Sequence, residues 1–187
     1  INPRTDSKDI NKLIGYLPGE MAFFDKYTGT SFLQFIADMR QMTDFTYRDN
    51  LIKRLELDTN VLIKKMSKGM KQKLGIVSAL MHDPQILILD EPTSGLDPLM
   101  QNRFLELILE EKQRGKTILM SSHIFEEVER VCDRAGIIKD GRIITIEDFK
   151  DNQKKVDDLY IVTLSKPNDA LLKTELNVEQ INHSNRY

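Results

Sequence analysis

A chain of 187 residues with 40% hydrophobic and 30% charged residues is long enough for one domain with a buried core, or one domain and a small extension. Its formal net charge of −2 gives no electrostatic case for nucleic-acid binding, and a single Cys132 excludes an internal disulfide framework and fits a reducing cytosol. No apolar run approaches the roughly 20 residues that cross a bilayer, and the first twenty residues hold no signal-peptide core, so at a membrane another polypeptide would do the spanning.

In chain order, Asp6 to Lys12 predicts a short helix and Lys12 to Leu17 a strand, which Pro18-Gly19 terminates. Phe32, Phe35, Ile36 and Met39 recur at i, i+3, i+4 and i+7, the apolar face of an amphipathic helix. A shorter helix is expected over Tyr47 to Leu55. From Ser67 onward helices and strands alternate. Gly69 to Met81 predicts a helix capped by Ser67, Ile86 to Asp90 a buried strand, and Leu99 to Gln113 a long helix ended by Gly115. Thr117 to Ser121 is the next strand and Ile124 to Val131 the next helix. Gly136 to Lys139 and Arg142 to Thr145 flank Asp140-Gly141, a hairpin turn signal. Such alternation implies an α/β fold with a largely parallel sheet flanked by helices. After Asp151 the character changes to a charged stretch, a strand candidate at Leu159 to Leu164 and polar residues. Residues 1–150 are therefore expected to form the main domain and 151–187 to open a C-terminal accessory extension.

The chemistry concentrates where strands end. Ile86-Leu87-Ile88-Leu89 runs directly into Asp90-Glu91-Pro92, so a strand would deliver two carboxylates to the sheet's C-terminal edge, where open α/β sheets bind ligands. One carboxylate there can hold the water shell of Mg²⁺, and the other can orient or deprotonate an attacking water. A strand that simply ends in a polar turn competes evenly with that reading. Thr93-Ser94-Gly95-Leu96-Asp97-Pro98 follows the acids, and Ser122-His123 follows the next strand, so in a parallel sheet both loops reach the same edge. Upstream, Ser67-Lys68-Gly69 places a hydroxyl and free N–H groups at the positive end of a helix dipole, with Lys68, Lys71 and Lys73 nearby. A capped basic surface helix has the same pattern.

Taken in order, the signature Ser67-Lys68-Gly69-Met70-Lys71-Gln72, the strand Ile86 to Asp90, Glu91, the loop Ser94-Gly95-Leu96-Asp97 and His123 resemble the ABC ATPase family over about residues 10 to 145. The resemblance implies a P-loop NTPase-like fold with a small helical subdomain over about 20–80, and ATP and Mg²⁺ as cofactors. It implies Asp90 at the metal's water shell, Glu91 as general base and His123 at the γ-phosphate. Asp97 would communicate across a dimer of two nucleotide-binding domains, either homodimer or heterodimer. Ser67, Lys68, Gly69 and Gln72 belong to the signature that closes on the partner's ATP. The second partner implied is an integral-membrane permease, with this subunit cytoplasmic and peripheral on the inner face of the membrane.

Three departures qualify the pattern. Lys68 stands where the family's signature has its first glycine, a variant similar to domains serving multidrug, antibiotic or peptide exporters. Gly19 occupies the Q-loop glutamine position, with Glu20 beside it. The phosphate loop G-x-x-x-x-G-K-[ST] is missing; Arg114-Gly115-Lys116-Thr117 imitates its end, but Glu110 stands at the first glycine. In the family the loop lies some 40 residues before the Q-loop, so the chain is expected to be cut upstream of Ile1. A sheet without those strands would be partly open and poorly stable. A transporter subunit whose helical region, with Phe23, Phe24 and Tyr27, contacts the permease is the leading expectation; those aromatics serve equally as subdomain core. A non-catalytic module that only complements a partner subunit is the alternative.

Overall fold

The computed structural model describes residues 7–149; the strand expected at 159–164 and the extension over 151–187 lie outside the described residues. Helix α1 (Ser7–Leu13) runs directly into β1 (Ile14–Leu17). The strand begins two residues later than expected because Lys12 and Leu13 complete the helix. Strands β1, β2 (Ile86–Leu89) and β3 (Thr117–Met120) form a parallel sheet in the order β1-β2-β3, with Leu17 opposite Leu89 and Leu89 opposite Met120.

Period-2 alternation divides this sheet into two rows. Gly15, Leu17, Leu87 and Leu89 are buried. Tyr16, Ile88 and Leu119 are register partners across the opposite face, where Tyr16 is 58% and Leu119 66% exposed. The strand expected to be buried throughout Ile86 to Asp90 is thus buried on one face only. The described helices cover the row of Leu87 and Leu89 and leave the other row to solvent.

Helix α4 (Lys68–Leu80) lies against β1 on the covered face. Leu74, Ile76, Val77 and Leu80 are fully buried. At about 1.5–3 kcal/mol per buried aliphatic side chain, that burial outweighs the roughly 1 kcal/mol that each of Gly69 and Gly75 costs inside a helix. Gly15 is required where β1 meets this helix, since a Cβ there would stand 2.2 Å from the carbonyl oxygen of Ala79.

Helix α2 (Gly29–Met39) starts from a reciprocal cap. The Thr28 N–H donates to Ser31 Oγ at 2.9 Å, and the Ser31 N–H donates to Thr28 Oγ1 at 3.1 Å. Its inward face is Phe32, Leu33 and Ala37, with Ile36 at the margin, and Met39 is 68% exposed. The face expected from Phe32, Phe35, Ile36 and Met39 is rotated by one position. Small Ala37 lets the helix approach the core, while Phe35 meets Phe24 and Tyr27 edge-on at 5.7 and 6.2 Å between ring centroids.

Helices α3 (Thr46–Arg54) and α5 (Pro98–Gln113) are joined by a polar cluster. The Tyr47 hydroxyl donates to Glu111 Oε1 at 2.9 Å, and burial, with Glu111 second, pushes that hydroxyl's pKa upward. Lys116 pairs with Asp83 at 2.5 Å and with Glu111, and Arg114 pairs with both acids. Burial raises the Asp83 carboxyl, but hydrogen bonds from Lys116 and Arg114 outweigh it and hold the group below its ordinary value. Gly115, at φ +83, ends the helix. The loop-like sequence Arg114-Gly115-Lys116-Thr117 is thus a helix stop with two structural cations. Helix α6 (Phe125–Val131) leads to the antiparallel hairpin β4 (Arg134–Lys139) and β5 (Arg142–Asp148), turned by Asp140 and Gly141 at φ +52 and +71.

Candidate functional site

The parallel ladder continues one residue past the strand ends. The Asp90 N–H donates to the Leu17 carbonyl and the Ser121 N–H to the Leu89 carbonyl, each at 2.9 Å. That register sets Ser121 beside the acid pair. Its Oγ donates to Asp90 Oδ1 at 2.5 Å and accepts from the Glu91 N–H at 2.9 Å. Glu91 sits at φ +46, a left-handed backbone uncommon for a residue with a side chain. His123 Nδ1 lies 2.7 Å from Glu91 Oε2; with the carboxylate ionised, Nδ1–H is the donor. The imidazole is 73% and Glu91 33% exposed, so the pair faces outward at the sheet edge.

The turn after the acids abuts the start of α4. Ser67 caps that helix, its Oγ accepting from the Met70 N–H at 3.1 Å. Lys68 Nζ donates to Ser94 Oγ at 3.1 Å, and a Cβ on Gly69 would stand 2.8 Å from the Gly95 carbonyl oxygen. Gln72 is only 4% exposed, and its Nε2 donates to the Pro92 carbonyl at 2.8 Å and the Glu91 carbonyl at 3.3 Å. Its amide serves the main chain of the acid pair and faces inward. Asp97 caps α5, its Oδ1 accepting from the Met100 N–H at 3.0 Å. Gly19 lies against Asp90, where a Cβ would stand 3.0 Å from Oδ2, and Glu20 is exposed.

The fold therefore gathers Gly19, Asp90, Glu91 and His123, with Lys68, Gly69 and Gln72 braced against the adjoining turn. Glu20, Ser67 and Asp97 make no hydrogen bond to the acid pair among the described residues. The aromatics at 23–27 divide. Phe23 packs inward on Phe32, at 5.2 Å between centroids, while Phe24 and Tyr27 remain 52% and 37% exposed.

Two further sets belong to the site. Ser121 could have been found from the parallel register, which sets the residue after β3 opposite Asp90. Buried Glu127, 5% exposed, accepts from Thr93 Oγ1 at 3.0 Å and Ser122 Oγ at 2.9 Å. It ties the loop after β2 to the loop after β3. Its only signal in sequence is its place four residues beyond His123 on the next helix. No group of three or more His, Cys, Asp or Glu among the described residues is arranged to hold a metal by itself.

A family model described as an AAA domain, putative AbiEii toxin, type IV toxin–antitoxin system, matches residues 30–129. An uncharacterized ABC transporter ATP-binding protein of Methanocaldococcus jannaschii is 33% identical, covering 96% of this chain and 69% of its own length. The linearmycin resistance ATP-binding protein LnrL of Bacillus subtilis is 34% identical, over 90% of this chain and 57% of its length. A solved ATP-binding subunit of an ABC transporter superposes with a TM-score of 0.72 at 29% identity, covering 82% of this chain and 66% of that one. Against other curated relatives the chain spans less than half their length, 43% and 39% in two cases. Since the archaeal relative is matched along nearly the whole of this chain and over more than two thirds of its own, the chain belongs to the ABC transporter ATP-binding proteins.

Proposed function

We propose that this chain carries the hydrolytic half-site of an ATP-driven transport subunit that works with a separate membrane permease. The observation that carries the reading is the pairing of Glu91 with His123, beside Asp90, at the carboxyl edge of a parallel sheet. Glu91 is the general base. It takes a proton from the attacking water as that oxygen bonds to the γ-phosphorus and the bond to the β-phosphate oxygen breaks, releasing ADP. His123 directs the Glu91 carboxylate through its Nδ1–H and would stand beside the γ-phosphate.

The donor chemistry at Asp90 fits Mg²⁺. It offers hard carboxylate oxygens, and Gly19, where a Cβ would stand 3.0 Å from Oδ2, adds no side chain of its own against that oxygen. One carboxylate suffices for an ion that keeps most of its water and takes its other ligands from phosphates. When bound, the ion would neutralise charge on the β- and γ-phosphate oxygens. Ser67, Lys68 and Gly69 would present the capped N-terminus of α4 to ATP held by a second nucleotide-binding domain, and Asp97 would face that domain. Phe24 and Tyr27 are the aromatics exposed for the permease. The Lys68 variant and the kinship with a resistance protein favour export, from a position on the inner face of the membrane. Residues 1–150 would form the ATPase domain, with helices from about 20 to 80 as its subdomain, and 151–187 an accessory extension.

Nucleotide capture requires a phosphate-binding loop that the 187 residues do not contain, so the test belongs to the natural protein at full length. Glu91→Gln should cut ATP hydrolysis by about 10²-fold or more, the contribution of a general base, while ATP binding stays within about twofold. Hydrolysis that survives the substitution refutes the assignment.

A further inference from the structure

We propose that Gln72 and Ser121 are positioning residues that fix Glu91 in its left-handed backbone, so that the signature helix sets the base of its own chain. The inference rests on the reading of Glu91 as the base. A residue with a side chain stays at φ +46 only where its surroundings impose that conformation. Here both flanking peptide groups are held. The Glu91 N–H is bound by Ser121 Oγ at 2.9 Å, and the Glu91 carbonyl accepts from Gln72 Nε2 at 3.3 Å.

The same nitrogen donates to the Pro92 carbonyl at 2.8 Å. Proline brings no N–H of its own, so this stretch offers two carbonyls in succession, and a primary amide with two donor hydrogens suits them. The Ser94 N–H closes the turn onto the Glu91 carbonyl at 3.1 Å. On the side-chain end, the partner of Glu91 is His123, 73% exposed, whereas Gln72 is 4% exposed and seated in α4. The stiffer hold on the base is therefore through its backbone. Movement of α4 would reach Glu91 directly through Gln72, whatever the helix N-terminus does toward a partner subunit.

The test uses the natural protein at full length. Gln72→Glu keeps the volume but replaces two donors with an acceptor-only carboxylate. Ser121→Ala removes a surface hydroxyl without opening the core, and Ser121→Thr retains it. Steady-state ATP hydrolysis should show kcat lowered about tenfold in Gln72→Glu and Ser121→Ala with KM for ATP within about twofold, and recovery in Ser121→Thr. Amide hydrogen exchange at Glu91 and Ser94 should quicken in the same two variants. A raised KM with unchanged kcat in Gln72→Glu would make Gln72 a nucleotide contact and overturn the proposal, as would unchanged exchange at both amides. If Gln72→Glu fails to fold, the Ser121 pair decides. Glu91→Gln, run in parallel, separates the two readings. If it is inactive while both positioning variants keep their kcat, only this inference falls; if it still hydrolyses ATP, the base assignment falls first.

Discussion

Acid should loosen this fold through His82, at the end of α4. Its Nε2 lies 3.1 Å from the Ile14 carbonyl, which can only accept, so Nε2 carries the hydrogen and Nδ1 is the bare acceptor. Among the described residues Nδ1 is buried without a partner. Protonation would place an N–H in the interior with nothing to receive it. Burial first, and then the positive charge of Arg40, lower the pKa from 6.5 to about 4, against the opposing hydrogen bond to Ile14. The unfolded chain thus takes up a proton near pH 6.5 and the folded chain only near pH 4. The contribution to stability is complete above pH 6.5 and is lost as pH falls toward 4.

For the full shift, the loss between pH 7.5 and pH 5 is about 2 kcal/mol; partial exposure of the ring screens it to about 1 kcal/mol. His82→Gln keeps a donor for Ile14 and removes the titration. Urea unfolding of both proteins at pH 7.5, 6 and 5, followed by circular dichroism, isolates the effect as a difference. The wild-type protein should lose about 1 kcal/mol more than the variant, roughly 0.5 M in midpoint at an m-value near 2 kcal/mol/M. Parallel pH dependences would refute the reasoning.

Glu127→Ala leaves the Thr93 and Ser122 hydroxyls without their acceptor and should cost about 2 kcal/mol, read as a Tm drop of several degrees. Gly15→Ala drives a methyl group into the Ala79 carbonyl and should cost about 3 kcal/mol or more in denaturant unfolding. Among the described residues Tyr16 and Leu119 stand exposed on one sheet face, and such an uncovered face predicts a marginal 187-residue chain. It should melt below about 60 °C, and Leu119→Thr should reduce its light scattering on heating. The same chain should release phosphate from ATP only at the background rate, because its sequence holds no phosphate-binding loop.

Element type was legible where local chemistry decides it. Ser67 caps a helix, Gly115 ends one, and Asp140-Gly141 turns the hairpin, each through contacts within a few residues. The juxtaposition of the acid pair with Ser122-His123 also followed from parallel strands. What escaped is tertiary. The face of α2 shifted by one position because Leu33 and Ala37 share a stripe with Phe32 and Ile36, and only the neighbours decide which edge is inward. Four apolar residues in β2 read as burial on both faces, yet solvent meets Ile88 because covering a face depends on other elements. The positive φ of Glu91 has no local signature either. It is imposed by Gln72 and Ser121, 19 residues before it and 30 after.

Where Gly15 meets Ala79, strand and helix approach main chain to main chain, with the Pro84 and Leu87 side chains closing in beside them. Such a joint has no slack. A push along β1 cannot be absorbed locally and must displace α4 as a body, as close-packed interiors transmit strain. The helix that carries Ser67 at its tip and Gln72 one turn in is thereby indexed to the central sheet, like a rack whose tooth cannot skip. A single methyl group at Gly15 would move both ends of that lever at once.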